Sequence, residues 1–116
     1  MKPNPILDIT FNLGVQIMLY YCELKKDKHY SLADQIVRAG MSVGANMKEA
    51  QGAESRADFI HKCKIAYKES QELEHFLEVI KAVPLLPSPQ EPLETVKIAI
   101  KVLGKIIVSA KKNGEK

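Results

Sequence analysis

The sequence predicts an all-α fold, an antiparallel up-down-up-down four-helix bundle formed as one domain over residues 1–116. Three observations predict it. Apolar residues recur at three- and four-residue intervals along four long segments, the spacing of helix faces. Polar or glycine-containing turns, and one proline-rich stretch from Pro84 to Pro92, separate those segments. The short connections favour antiparallel neighbours. The chain has 116 residues, 46% apolar and 27% charged, with no tryptophan, so a core of aliphatic side chains is large enough to stand without disulfide or metal staples.

The first helix is read from about Ile6 to Lys26. Asp8, Asn12, Gln16, Glu23 and Lys26 share one narrow sector of its wheel. Leu7, Ile9, Phe11, Leu13, Ile17, Met18, Tyr21 and Leu24 fill most of the rest, which is more than one buried face requires. A charged turn, Lys25 to His29, follows.

Ser31 is the expected cap of the second helix, read over 31–51, with Asp34 three residues on. Leu32, Ile36, Ala39, Val43, Met47 and Ala50 form its core stripe. Gly40 and Gly44 lie just beside it. A mid-helix glycine costs about 1 kcal/mol against alanine, so both imply close approach of another helix. Gly52 is expected to stop the segment as a C-terminal glycine.

Ser55 and Asp58 read as a capping-box variant that opens the third helix, 55–82. Phe59, Ala66, Leu73, Leu77 and Ile80 make its main stripe, with Ile65, Phe76 and Val79 offset. The prolines then forbid helix until the fourth, read over about 91–112. Its apolar residues, from Leu93 to Ala110, cover roughly 220° of the wheel, against about 100° for a simple bundle helix. Surplus apolar surface on the first and fourth helices predicts self-association.

The residues exclude several kinds of chemistry. Glu72-Leu-Glu-His75 matches the Glu-x-x-His spacing of di-metal bundles, but there is no second copy. His75 also falls about 170° from the core stripe, on an outer face with His61 and Lys68. Neither a metal nor a cofactor is expected. Ser31, Ser42, Ser55 and Ser70 lack His and carboxylate partners at a recognisable spacing. Cys63 and His61, two apart, point away from each other on a helix. Cys22 and Cys63 allow one disulfide, but free buried thiols are expected. With no secretory leader pattern and no apolar run of about 20 residues, a cytoplasmic location away from membranes is expected. No catalytic residue emerges, and the chain is read as a non-enzyme.

Two constellations remain. Gln35, Arg38, Ser42, Asn46 and Glu49 occupy one sector beside the core stripe of the second helix, pointing to a buried or interfacial polar network that sets register. An ordinary solvated face and a ligand site are the alternatives. On the fourth helix Lys97, Lys101, Lys105 and Lys112 lie within about 80° of one another, with Lys111 at the edge. Such a stripe can follow a phosphate backbone, or it can be the polar strip that an apolar helix needs. The net charge of +3 would multiply in an assembly.

The segment Gln35-x-x-Arg38-Ala39-x-x-Ser42-x-x-Ala45-Asn46-x-x-Glu49-Ala50, followed by Ser55-Arg56-x-x-Phe59, resembles the bacterial four-helix-bundle family of 23S rRNA intervening-sequence proteins. Ala66, Glu69, Glu72 and Leu73 continue the likeness. The chain departs from it at Gly52-Ala53-Glu54, where many members carry a basic residue. A similar protein is the accessory variability determinant of diversity-generating retroelements, a pentamer that associates with nucleic acid and a reverse transcriptase. The resemblance implies no enzymatic activity, and it implies a structural part for Arg38, Asn46 and Glu49. The expected function is that of a homo-oligomeric accessory or scaffold protein, a pentamer by the resemblance. It would bind RNA or DNA through Lys97, Lys101, Lys105 and Lys112, with Arg38 and Arg56 as further contacts. The alternative is an adaptor that recruits a protein such as a polymerase without touching nucleic acid.

Overall fold

A computed structural model describes residues 4–114. Four helices follow one another along the chain: α1 (Pro5–Lys26), α2 (Tyr30–Ala50), α3 (Arg56–Lys81) and α4 (Gln90–Gly114). Each packs against its sequence neighbour, and α1 also packs against α4, while the backbones of the diagonal pairs stay farther apart. That is the square, up-down-up-down bundle the sequence predicts, an elongated body of 52 × 24 × 23 Å.

The core follows the stripes. Ile6, Leu13, Ile17, Tyr20 and Leu24 of α1 meet Ile36, Ala39, Val43 and Met47 of α2. Cys63, Ala66, Leu73, Leu77 and Ile80 of α3 and Leu93, Val96, Leu103 and Ile107 of α4 complete it. Two buried hydroxyls are satisfied within their own helices: Thr10 donates to the Ile6 carbonyl and Ser70 to the Ala66 carbonyl, each at 2.8 Å. The α2 glycines are where α1 comes closest. A Cβ on Gly40 would lie 2.8 Å from both Ile17 Cγ1 and Cγ2, and one on Gly44 would lie 3.3 Å from the Thr10 carbonyl oxygen.

The helix ends match the sequence reading in one case and depart from it in two. Ser55 caps α3, its hydroxyl accepting from the Asp58 N–H at 3.0 Å. The Asp58 carboxylate accepts in turn from the Glu54 N–H at 3.2 Å. Ser31, by contrast, is no cap: α2 begins one residue earlier, after His29, without a side-chain cap. The preceding turn dictates this start. Lys28 adopts a left-handed φ of 67°, and the His29 N–H reaches back to the Leu24 carbonyl at 2.9 Å, a Schellman closure of α1 that delivers the chain directly into α2. Nor does Gly52 act as a left-handed stop, since no glycine among the described residues has positive φ. Its N–H bonds to the Glu49 carbonyl at 3.0 Å instead, tightening the last turn.

Proline places the last helix. Pro89 and Pro92 are buried at its start, and the Tyr20 hydroxyl donates to the Pro87 carbonyl at 2.6 Å, tying the loop to α1. Burial, aided by the nearby Glu23 carboxylate, pushes the Tyr20 phenol up to about 12. Cys63 is buried, and burial raises its thiol pKa; Cys22 is exposed, against expectation, because α1 turns it away from the core. Both thiols are free.

The apolar surplus is divided unequally. On α4 the stripe is mostly absorbed against α1 and α3, leaving Ile98 and Val108 outside. On α1 it is not: Phe11 is 70% and Leu19 66% exposed, with Val15 and Met18 between them and Met41 of α2 alongside. These side chains border an open groove of about 870 Å³ between α1 and α2, with Gly14, Gly40 and Gly44 among its lining residues. Among the described residues, no helix is long and apolar enough to cross a membrane.

Candidate nucleic-acid interface

From Thr95 to Gly114, α4 contains five lysines and no acid. The polar side chains of this helix therefore depend on α3 for any counter-charge. Lys97 finds one: its ammonium lies 3.0 Å from the Glu78 carboxylate, which, with Glu74 and Glu94 nearby, raises its pKa. Lys101, Lys105 and Lys112 have no ion pair among the described residues and are exposed. All three border a shallow groove of about 700 Å³ between α3 and α4, together with Tyr67, Gly104 and Asn113. So the stripe of four contains one lysine tied to α3 and three that face solvent.

Arg56 joins the same end of the molecule. Its guanidinium donates to the Ala110 carbonyl at 3.3 Å, and it borders a second opening of about 710 Å³ with Phe59 and Lys105. Arg38 lies elsewhere. It spans from α2 to α3, with Nη2 2.7 Å from Glu72 Oε1 and Nη1 3.5 Å from Glu69 Oε2. The guanidinium already holds two carboxylates, and it does not adjoin the lysines.

The polar sector of α2 proves to be a half-exposed seam against α3, not one buried network. Arg38 joins α3 at one end, and at the other Glu49 pairs with Lys62 at 3.1 Å. Between them the Asn46 amide donates to the Ser42 carbonyl at 2.9 Å, within its own helix. Gln35 is exposed. Helix geometry explains the break, because one sector of α2 spans several turns while only its ends meet long charged side chains on α3.

Sequence reasoning missed Lys64. It projects from α3 beside Lys111 of α4, and that neighbouring ammonium pulls its pKa below the usual lysine range. Lys68, one turn further along α3, is also exposed. The missed signal lies across two helices and appears only once their register is known. His75 sits on the outer surface, as its wheel position requires. Among the described residues no three His, Cys, Asp or Glu side chains converge.

Fold and surface together define a small helical-bundle protein with an acid-free basic groove at one end. The chain belongs to the 23S rRNA-intervening sequence protein family, whose model matches residues 4–109. Among solved structures it is similar to a protein of unknown function from the S23 ribosomal protein family of Bacteroides thetaiotaomicron VPI-5482. The two share 34% identity and a TM-score of 0.83, over 88% of this chain and 97% of that one. No curated protein matches the chain.

Proposed function

We propose that the protein is a non-catalytic, self-associating accessory protein that holds the backbone of a nucleic acid on its basic end. The observation that carries this reading is the set Lys101, Lys105 and Lys112, exposed along one groove and without ion pairs among the described residues. Each phosphate neutralised by such a lysine releases condensed counterions, so affinity rises as salt falls. The family name refers to 23S rRNA, which makes RNA the first ligand to try. Lys97 and Arg38 contribute less, because carboxylates already hold them.

Self-association rests on α1. Phe11, Val15, Met18 and Leu19, with Met41, form a contiguous apolar face of the kind that a second copy covers. Assembly would also gather several basic ends into one field. The resemblance read in the sequence to the pentameric accessory variability determinant makes a pentamer the stoichiometry to test. The same apolar face is what favours the second reading, an adaptor that recruits a protein partner such as a polymerase.

Labelled RNA titrated across a salt series separates the two readings. Under the first, wild-type protein binds with a steep salt dependence, and Lys101→Glu/Lys105→Glu/Lys112→Glu does not bind. Absence of binding at low salt would sink the first reading and leave the second. Sedimentation of Phe11→Glu/Leu19→Glu tests assembly: monomers are expected, and an unchanged assembly would place its interface elsewhere.

A further inference from the structure

The α3–α4 surface is polarised along its length. Around Lys97 it is acidic, with Glu74, Glu78 and Glu94 close by. Beyond Glu94 no acid occurs on α4, and the exposed charges are Lys101, Lys105, Lys111 and Lys112. On α3, Lys64 lies beside Lys111 where the two helices meet, outside the lining of the groove, and Lys68 is exposed one turn on, on the outer face. The nearby acid Glu69 turns the other way, toward Arg38 of α2. Two ammonium groups held side by side repel each other unless an anion lies between them. The groove's own lysines come from α4, and Lys64 adds a positive charge from α3 next to Lys111, so a negative chain lying along the α3–α4 seam would meet cations from both helices.

The groove also has an aromatic residue. Tyr67 is half-buried between Lys64 and Lys68 in sequence and lines the groove with Lys101 and Lys105. Gly104 faces it from α4, where a Cβ would be in van der Waals contact with the ring, 3.7 Å from Tyr67 Cε2, so glycine leaves that side of the ring uncovered by a side chain. A basic groove that follows the backbone, together with a ring on which a base stacks, is the combination that binds single strands. A duplex keeps its bases paired inside and offers none to a ring between two helices.

We propose that the α3–α4 groove holds one unpaired nucleic-acid strand, its phosphates between Lys64 and Lys111 and along Lys101 and Lys105, with a base stacked on Tyr67. This rests on the nucleic-acid reading above and gives it a strand type and a path.

The test measures anisotropy of a labelled oligouridylate and of a duplex of equal length, over about 50 to 200 mM salt. Lys64→Gln/Lys111→Gln should flatten the single-strand log–log slope by about 1.4, roughly 0.7 for each charge removed. Tyr67→Leu should weaken single-strand binding about tenfold with the slope unchanged, leave duplex binding as it was, and be rescued by Tyr67→Phe. Thermal melting reports whether Tyr67→Leu still folds. If it does not, the lysine pair, exposed on both helices, decides the matter alone. Wild-type slope in Lys64→Gln/Lys111→Gln, with binding lost in Lys101→Glu/Lys105→Glu, overturns the groove and spares the α4 reading. No binding by the wild type at low salt overturns both.

Discussion

Replacing Gly40 with alanine should destabilise the bundle although alanine is the better helix former. The substitution gains about 1 kcal/mol of intrinsic helix preference. Against this, the new Cβ would lie 2.8 Å from Ile17 Cγ1 and Cγ2 and 3.0 Å from Ile17 Cβ. Carbon atoms prefer about 3.5–4.0 Å, so the overlap is roughly 0.7 Å or more. Ile17 cannot yield. It is fully buried, and a β-branched side chain in a helix has essentially one χ1 setting. The helices must therefore separate, and overpacking of this sort costs about 1–3 kcal/mol, with three atoms in conflict placing this site at or above the upper end. The net expectation is a loss of about 2 kcal/mol or more, or a melting temperature lower by roughly 8 °C or more for a domain of this size. Urea and thermal unfolding followed by circular dichroism measure it, at fixed protomer concentration because assembly adds to apparent stability. Gly14→Ala is the internal control. Its Cβ would meet only Met41 Sδ, the flexible end of a side chain, at 3.5 Å, so it should be neutral or stabilising by up to about 1 kcal/mol. If Gly40→Ala melts at or above the wild type, the close α1–α2 approach does not constrain the fold as argued.

Three further outcomes are expected. Lys28→Gly relieves a left-handed residue at the end of α1 and should raise unfolding free energy by about 1 kcal/mol, with no change in the denaturant m-value. Tyr20 holds its proton more tightly folded than unfolded, its pKa raised from 10.0 to about 12, so its contribution is complete below pH 10 and is lost between pH 10 and 12. Urea midpoints measured across that window should fall more steeply for the wild type than for Tyr20→Phe; parallel curves would show that the phenol is not the group responsible. Lys97→Gln should leave the salt slope of RNA binding nearly unchanged, because Glu78 already holds that ammonium, whereas Lys101→Gln should reduce it by about 0.7. Equal effects at the two lysines would refute the division of the stripe.

Most of the fold was legible because each helix carries its own record of burial. Ile36, Ala39, Val43 and Met47 recur at core spacing, and all four are buried. Gly40 and Gly44 announced a close contact without naming its partner, which proved to be α1. The helix ends were harder. Ser55 was readable because cap and box partner lie three residues apart. The α1–α2 turn was not, because its left-handed position is occupied by Lys28 where a glycine would have marked it. The wheel also showed a surplus of apolar surface on α1 and α4 but could not apportion it. Contact with neighbouring helices settles that, and leaves Phe11 and Leu19 of α1 far more exposed than most of α4.

The candidate site was legible only in part, for a reason visible in two residues. Lys97 and Lys101 are one turn apart on the same face and look alike in sequence. They differ because α3 offers Glu78 to the first, while Lys101 has no ion pair among the described residues. A wheel records direction around one helix, whereas electrostatic partnership depends on the register between two. The register is nevertheless recoverable from a single cross-helix contact. Lys97 to Lys111 is fourteen residues along α4, and Glu78 back to Lys64 is fourteen along α3, so in an antiparallel pair the second contact follows from the first. One confirmed contact would thus have converted two lysines that no helix wheel connects, Lys64 and Lys111, into neighbours across the α3–α4 seam. The like charges meet because antiparallel packing brings the acid-free C-terminal half of α4 against the lysine-bearing N-terminal half of α3, and the proposal of an anionic strand rests on this meeting.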